Sequence, residues 1–210
     1  MTAPTLTDRL FDDADQSVLD PFAVFEDWFA EARLREPNDP HAMAVASIDA
    51  EGMPDVRMVL MNARDARGFV FFTNFDSAKG HQLQARPKAA MVMHWKSLRR
   101  QVRARGLVQV VEPAEADAYF ATRARGSQIA SSASEQSRPV ASRAVLASRV
   151  KALEAKLGDQ PVPRPPNWSG FRIVPLAIEF WKEGAFRLHD RIVFTRPAPG
   201  EPWTRQRLYP

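Results

Sequence analysis

Residues 42–73 read AMAVASIDAEGMPDVRMVLMNARDARGFVFFT, and this stretch decides the fold. It contains three apolar segments, at 42–48, 56–63 and 69–73, which are separated by the turn sequences DAEG and DARG. Short apolar segments rich in Val, Met and Phe, with Gly and Asp between them, are typical of strands joined by hairpins. The stretch therefore predicts a meander of antiparallel β-strands.

The rest of the chain extends this pattern and adds helices. Further strands are predicted at 89–95, at 101–111 and from Gly170 to the C-terminus, and helices at 21–36, 77–84, 113–123 and 137–157. We therefore expect a mainly β protein with α-helices (α+β), in which an antiparallel barrel is surrounded by helices. Residues 21–210 are expected to form one domain, and the polar residues 1–20 a flexible N-terminal arm.

Composition excludes several classes of protein. The 210 residues are 45% hydrophobic and 26% charged, as in soluble globular proteins, and the absence of cysteine excludes disulfides and thiolate chemistry. His, Asp and Glu show no metal-ligand spacing, so no metal is expected. Without a secretory signal or a long apolar run, we expect a cytoplasmic protein that has no membrane partner. The net charge of +4 is spread along the chain, which argues against a nucleic-acid partner.

The segment Arg187-Leu188-His189-Asp190-Arg191 lies between apolar runs and is predicted to be a strand. Alternate side chains of a strand share a face, so Arg187, His189 and Arg191 would lie together. Two interpretations of these three potential cations are equally open. They bind an anionic ligand and transfer a proton to or from it, or they are charged residues that protect a solvated edge strand from pairing.

Two other groups of residues suit phosphate. Ser77-Ala78-Lys79-Gly80 begins a predicted helix, whose free N–H groups favour an anion, and Arg57 lies on a nearby strand. Simple helix capping is the more common explanation of such a start. Tyr119 and Arg123 share a helix face with Ser127 just beyond it, which suits a phosphate ester, although an exposed Tyr–Arg pair is the simpler explanation of these residues.

Nine motifs follow one another along the chain: Arg57-Met58-Val59-Leu60, Phe72-Thr73-Asn74, Ser77-Ala78-Lys79, Arg100-Gln101-Val102, Tyr119-Phe120 with Arg123 and Ser127-Gln128-Ile129, Gln136-Ser137, Trp168-Ser169-Gly170-Phe171-Arg172, Glu179-Phe180-Trp181 and Arg187-Leu188-His189-Asp190-Arg191. In this order they resemble the pyridoxamine/pyridoxine 5′-phosphate oxidase family, and the resemblance runs from about Asp20 to Pro210.

The resemblance implies an FMN-binding split β-barrel that forms a homodimer, with FMN at the subunit interface. It implies a cofactor site made of Arg57, Met58, Val59, Leu60, Phe72, Thr73, Ala78, Lys79, Gln101, Gln136, Ser137, Trp181 and Arg191. The implied substrate site consists of Tyr119, Arg123, Ser127 and the position of Asn62, together with Arg187 and His189. These last two would lie over the substrate ring and act in catalysis.

The family reaction oxidises pyridoxine 5′-phosphate or pyridoxamine 5′-phosphate to pyridoxal 5′-phosphate, with O2 reduced to H2O2. The resemblance implies this reaction here. Two alternatives stay open at this point. One is a related FMN oxidase for another amine or alcohol, and the other is a flavin- or B6-binding protein with low turnover.

The chain departs from the family pattern at four places in the implied site. Asn62 stands where a lysine usually contacts the substrate phosphate, and Ala78 stands where many members have an arginine for the FMN phosphate, although Lys79 remains. Phe72 replaces a tyrosine, and Ala130-Ser131-Ser132 replaces Gly-Ala-Trp. These changes predict a pocket that is wider and less cationic than is usual in the family.

Overall fold

The computed structural model describes residues 4–210, and all helices and strands named below belong to that range. The helices are α1 Leu6–Phe11, α2 Pro21–Arg35, α3 Ala78–Ala85, α4 Pro113–Thr122, α5 Arg125–Ala133 and α6 Arg143–Leu157. The strands are β1 Ala42–Ile48, β2 Pro54–Leu60, β3 Ala63–Asp65, β4 Gly68–Asn74, β5 Lys88–Trp95, β6 Arg100–Val110, β7 Trp168–Lys182, β8 Asp190–Thr195 and β9 Thr204–Arg207.

All of these strands belong to one antiparallel sheet. Its order is β2-β1-β5-β6-β7-β4-β3, with β8 paired to β7 and β9 paired to β8. The two ends of the main order, β2 and β3, are consecutive in the chain, with only Met61 and Asn62 between them. The sheet therefore curls round the core, which confirms the α+β antiparallel barrel predicted from the meander and the split barrel implied by the resemblance.

The apolar stripe of α2 fills the inside of this curled sheet. Phe25 and Trp28 are almost completely buried, and their rings meet Phe69 of β4 and Phe180 of β7 edge to face, with centroids 4.9 and 5.2 Å apart respectively. Edge-to-face pairs at this distance add to the free energy of burying the rings. The prediction that this stripe is core is confirmed.

The segment expected to form a flexible arm packs against the domain over its described part. Leu10 is fully buried, Val18 is 4% exposed, and the indole N–H of Trp28 donates to the hydroxyl of Thr7 at 2.8 Å. Arg205 of β9 also donates to backbone carbonyls of this segment, among them that of Asp15 at 2.7 Å. The prediction of an arm is therefore wrong for residues 6–18, because its few apolar side chains complete the core. Residues 1–3 lie outside the described residues.

The helix boundaries after α4 differ from the prediction. The long helix begins at Arg143 and not at Ser137, since Ser137 has a φ of 72° and Pro139 follows it. A separate helix, α5, was not predicted, because its sequence RGSQIASSA is polar and has only Ile129 buried. The predicted strand 56–63 is also interrupted at Met61 and Asn62, where the chain passes from one end of the sheet to the other.

The strand predicted for Arg187–Arg191 is wrong for its first three residues. Ala185–Arg187 is a turn of 3-10 helix, in which Phe186 and Arg187 have φ values of 55° and 65°. Strand β8 starts only at Asp190, which pairs with Lys182 at the end of β7. Residues 183–189 therefore form the loop that reverses the chain direction between these two strands. Within residues 4–210, no helix has the length and the apolar character needed to cross a bilayer.

The packing of α1 is tested by Leu10→Ala. Loss of this fully buried side chain should lower the free energy of unfolding by about 2–5 kcal/mol, as for other large-to-small changes in a core. Urea unfolding at equilibrium measures it. The matched control is Leu19→Ala, at a side chain that is 55% exposed, which should change the stability by less than about 0.5 kcal/mol. Equal effects of the two variants would contradict the burial of Leu10 in the core.

Candidate active site

A cavity of about 290 Å³ opens between the β2–β3 junction, β4 and helices α3 to α5. Its lining residues are Met58, Val59, Leu60, Asn62, Phe72, Thr73, Asn74, Lys79, Tyr119, Arg123, Ser131, Ser134, Gln136 and Trp168. Ten of these were predicted as cofactor or substrate residues. The structure thus brings together most of the predicted cofactor residues with Tyr119 and Arg123, two of the three residues predicted from the sequence to suit a phosphate ester.

One wall of the cavity is a stack of three aromatic rings. Phe72 lies 4.2 Å from Tyr119 and 5.5 Å from Trp168 between centroids, Tyr119 and Trp168 are 6.2 Å apart, and the three ring planes are nearly parallel. Trp168 is held from the other side by the buried ring of Phe120, 5.0 Å away and edge on. Four packed rings leave little rotational freedom, so the Tyr119 hydroxyl has a fixed position at the cavity.

Arg123 ends helix α4 and lies beside this wall. Its guanidinium stacks over the ring of Trp168 at 4.8 Å and donates to the Ser131 hydroxyl at 2.9 Å. Partial burial lowers the pKa of Arg123 from its ordinary value, since the charged form is desolvated. The group stays charged at neutral pH because arginine starts from so high a pKa.

Lys79 supplies the second cation, in the first turn of α3. Ser77 caps that helix by accepting from the N–H of Gly80 at 3.2 Å, so the predicted cap is confirmed. The Lys79 ammonium donates to the side-chain oxygens of Gln136 at 2.8 Å and Thr73 at 3.1 Å. Burial and, next, repulsion from Arg57 lower the pKa of Lys79.

Arg57 lies behind Lys79 and does not line the cavity. Its guanidinium donates to the Ser47 hydroxyl at 2.6 Å, to Asp55 at 2.5 Å and to the amide oxygen of Gln82 at 3.0 Å. It is therefore partly neutralised by Asp55, but it still raises the positive potential near Lys79.

The charged side chains that line the cavity are all cationic. Lys79 and Arg123 are its charged lining residues, and neither donates to a carboxylate in the part of the chain that the structure describes. Most other arginines of the molecule are paired with acids; Arg172, for example, contacts both Asp65 and Glu115. Partly buried cations without a counter-ion are costly unless an anion binds. The cavity is thus suited to anionic ligands.

A second group of predicted site residues lies elsewhere, on β6, β7 and β8. Gln101, Trp181 and Arg191 are direct neighbours across these three strands and so share one face of the sheet. The ring of His189 lies 4.7 Å from that of Trp181, and its Nδ1 accepts from the N–H of Gly184 at 3.2 Å. That bond places the proton of a neutral His189 on Nε2.

Arg191 is held in place by a buried acid. Glu179, which is 5% exposed, accepts from Arg191 at 3.0 Å through one oxygen and from Arg103 at 2.9 Å through the other. The carbonyl of Tyr209 accepts a further bond from Arg191 at 2.9 Å. Arg187, in contrast, is exposed and lies in the loop before β8. The predicted face shared by Arg187, His189 and Arg191 does not exist, because only Arg191 belongs to the strand.

The two groups lie at opposite ends of β7. Trp168, which lines the cavity, is the first residue of this 15-residue strand, and Trp181 is the last but one. At about 3.3 Å per residue, roughly 40 Å of strand separates them. In one chain, the cavity lining therefore includes none of Gln101, Trp181, His189 and Arg191.

Some predicted residues lie outside the cavity, and some lining residues were missed. Ser127 is exposed in the first turn of α5, Ala78 is exposed at the start of α3, and Ser137 follows Gln136 in an exposed loop. The missed lining residues are Asn74, Ser131, Ser134 and Trp168. Asn74 and Trp168 lie within motifs that carry the resemblance, and Ser131 lies in a segment that departs from the family pattern, whereas Ser134 has no signal in the sequence. Among residues 4–210, no cluster of His, Asp and Glu could hold a metal ion.

Comparison with known proteins shows which family the chain belongs to. A family model described as pyridoxamine 5′-phosphate oxidase matches residues 29–157, and one described as pyridoxine 5′-phosphate oxidase C-terminal dimerisation region matches residues 168–210. The chain belongs to the pyridoxamine 5′-phosphate oxidase family. The resemblance seen in the sequence is therefore confirmed, together with the oxidoreductase class and the FMN cofactor.

Curated relatives carry one name over nearly the whole chain. Proteins named pyridoxine/pyridoxamine 5′-phosphate oxidase from Caulobacter vibrioides and Nitrobacter winogradskyi are 59% and 60% identical over 191 residues, which is 91% of this chain and 85% and 90% of theirs. The relative from Azorhizobium caulinodans is 55% identical over 98% of this chain and 95% of its own.

A solved structure shows the same fold. The crystal structure of PhzG from Burkholderia lata, in complex with tetrahydrophenazine-1-carboxylic acid, superposes with a TM-score of 0.87. It is 30% identical in sequence and covers 95% of this chain and 97% of its own.

The residues present fit FMN. Its phosphate needs cationic and hydrogen-bond donors, and the cavity offers the Lys79 ammonium, which has only neutral acceptors, with Arg57 behind it. The first turn of α3 adds backbone N–H groups. Trp181 of the second group offers a flat aromatic surface against which the flavin ring could pack. Among the described residues that line the cavity, none places a carboxylate beside Lys79.

Lys79→Ala tests this assignment. Loss of one charge-assisted hydrogen bond should weaken FMN binding by about 1.5–3 kcal/mol, or roughly tenfold to a hundredfold. Fluorescence titration of the apoprotein with FMN measures the change, and Lys151→Ala, at an exposed lysine of α6, is the matched control.

The lowered pKa of Lys79 adds a prediction with a definite sign. Affinity for FMN should fall as pH rises through the pKa of Lys79 in the apoprotein, which lies below the ordinary 10.5, because the ammonium loses its proton. Lys79→Arg should remove this fall, since arginine keeps its charge. The same pH dependence in the Arg variant would show that another group is responsible.

Proposed function

We propose that this chain oxidises pyridoxine 5′-phosphate and pyridoxamine 5′-phosphate to pyridoxal 5′-phosphate, with O2 as the acceptor. The alcohol and O2 give the aldehyde and H2O2; the amine, O2 and water give the aldehyde, ammonia and H2O2. Bound FMN would take the hydride from the substrate and pass the two electrons on to O2. The names of relatives at 55–60% identity support this substrate class.

One observation of the structure carries the proposal: a cavity with two cations and, among the described residues, no lining carboxylate. An FMN phosphate and a substrate phosphate are two anions, and two separate cations are available for them. Lys79, backed by Arg57, lies at the α3 end of the cavity, and Arg123 lies beside the aromatic wall. We assign the first to FMN and the second, with Tyr119, to the substrate.

The second group of residues would act at the reacting end of the substrate. His189 has a defined tautomer, since the N–H of Gly184 occupies its Nδ1, so Nε2–H is the atom that can donate to a substrate oxygen or nitrogen. Arg187 is exposed and lacks an ion-pair partner among the described residues, so it is free to contact the ring substituents. Arg191, fixed by Glu179, would face the flavin.

A homodimer would unite the two groups. The sheet face that carries Gln101, Trp181 and Arg191 continues into an open groove of about 540 Å³. Most of its lining residues are apolar, among them Ala44, Ala46, Ala90, Ala177 and Val193, and its charged lining residues are Arg103, Arg105 and Glu179. Exposed apolar residues surround both groups: Val56 and Met58 of β2 are 63% and 64% exposed, and Phe186 beside Arg187 is 95% exposed. Surfaces of this kind mark protein interfaces. The family model over 168–210, described as a dimerisation region, supports the same surface.

An alternative substrate is favoured by one part of the cavity. Arg123 contacts Ser131, in the segment where the family usually has Gly-Ala-Trp, so a bulky wall is missing beside it. The PhzG structure holds tetrahydrophenazine-1-carboxylic acid, a ligand that differs from a B6 phosphate, on the same fold. A related oxidase acting on another amine or alcohol is therefore the second candidate.

Anaerobic stopped-flow mixing separates these candidates. Pyridoxine 5′-phosphate should bleach the flavin absorbance of the holoenzyme, and readmitted O2 should restore it with one H2O2 per turnover. Pyridoxine, which has no phosphate, should require a far higher concentration for the same rate. Absence of bleaching by saturating phosphate ester, with bleaching by another amine, would establish the second candidate instead.

Arg123→Ala tests the substrate end of the cavity. The KM for pyridoxine 5′-phosphate should rise roughly tenfold to a hundredfold, with a smaller change in kcat, because the lost interaction is with the non-reacting phosphate. Arg33→Ala, at an exposed arginine of α2, serves as the control. A fall in kcat at unchanged KM would assign Arg123 to a different role.

A further inference from the structure

Asn62 lies at the point where the curled sheet closes on itself. It occupies the junction of β2 and β3, and its backbone N–H donates to the carbonyl of Val70 in β4 at 2.8 Å. Its side-chain oxygen accepts from the backbone N–H of Phe72 at 3.2 Å. The amide group is therefore held on one side by main chain, which restricts its orientation.

This contact determines which way round the amide lies. A backbone N–H can only donate, so the atom facing Phe72 must be the oxygen Oδ1 and the other atom must be the nitrogen. That nitrogen, Nδ2, lies 2.6 Å from the hydroxyl oxygen of Tyr119. An amide nitrogen donates and does not accept, so the Tyr119 oxygen is the acceptor in this bond.

The hydroxyl proton of Tyr119 therefore points away from Asn62. Stacking on Phe72, at 4.2 Å between centroids, prevents the phenol from turning away, and its oxygen lies at the cavity. In the described residues, the hydroxyl proton has no acceptor of its own, whereas the Arg123 cation is nearby on the same lining. An anionic ligand atom would complete this arrangement.

We infer that Asn62 is a positioning and specificity residue: it fixes Tyr119 as a hydrogen-bond donor to the phosphate of the substrate. The phosphate would thus be held by a neutral phenol donor, oriented by a neutral amide, together with a single arginine. The inference rests on the proposed function, because it concerns the phosphate end of the same cavity. It also gives a physical role to a position at which the family usually has a cation.

Three substitutions at this position separate orientation from packing. Asn62→Asp keeps the size and the oxygen that accepts from Phe72, but its second oxygen accepts from Tyr119 and so reverses the phenol. Asn62→Ala removes both bonds and leaves the phenol free to rotate. Asn62→Lys keeps a donor toward Tyr119 and adds a charge. A purely structural role ranks Ala as the worst variant, whereas an orienting role ranks Asp as the worst.

The measured quantity is phosphate discrimination, defined as kcat/KM for pyridoxine 5′-phosphate divided by kcat/KM for pyridoxine in the FMN-loaded enzyme. Dividing by the non-phosphorylated substrate removes general damage to the site. We expect discrimination to fall roughly tenfold to a hundredfold in Asn62→Asp and about two- to tenfold in Asn62→Ala, and to rise in Asn62→Lys. The change should appear mainly in KM for the phosphate ester.

The carboxylate of the Asn62→Asp variant would repel the phosphate and so lower discrimination even if the phenol had no role. The same substitutions are therefore repeated in the Tyr119→Phe variant, which lacks the hydroxyl. In the Tyr119→Phe background the difference between Asn and Ala at position 62 should disappear, because there is no hydroxyl to orient. A difference of the same size in both backgrounds would overturn the inference, as would an Asp variant that equals wild type or exceeds Ala. A wild-type discrimination near one would instead contradict the proposed function.

Discussion

The length of β7 is the constraint on which the site depends. This strand pairs with β4 at its beginning, with β6 along its length and with β8 at its end, so it joins three strands that carry site residues. It also keeps those residues apart, since Trp168 and Trp181 lie near its two ends. The cavity lining includes none of the residues of the second group, and we propose that a second copy of the chain brings the two groups together.

The two groups also differ in how their cations are paired. Among the described residues, Lys79 and Arg123 of the cavity group have no carboxylate partners, so binding of an anion there is electrostatically favourable. The β7–β8 group keeps its arginine occupied, because the buried Glu179 accepts from Arg191 and Arg103 together. One group is therefore suited to bind phosphate, while the other is a rigid surface suited to cover a flat ring. The two properties are complementary, as expected for two parts of one site.

Local patterns predicted the fold, but tertiary contacts decided the site. The strands, the α2 stripe and the Ser77 cap were predictable because alternation, helical spacing and capping are properties of short segments. Arg187 and His189 were placed on a strand because the apolar residues around them suggested one, whereas the pairing of Asp190 with Lys182 makes 183–189 a loop. The segment of Ser131 stands out as a departure from the family pattern, but its contact with Arg123 could not be predicted, since the two residues meet only through the unpredicted helix α5. The packing of Leu10 was missed for a similar reason, because one apolar residue in a polar segment carries no periodic signal.

The claim that each site combines two chains is tested most directly by subunit complementation. Arg123→Ala damages the cavity group and Arg187→Ala damages the loop before β8, so each variant alone should turn over pyridoxine 5′-phosphate slowly when the substrate is kept below the wild-type KM. A purified heterodimer of the two, isolated through different tags, would contain one site with both defects and one with neither. We predict about half of the wild-type activity per heterodimer. Activity no higher than that of the two parent variants would mean that both groups act within one chain, and would contradict a site shared between subunits.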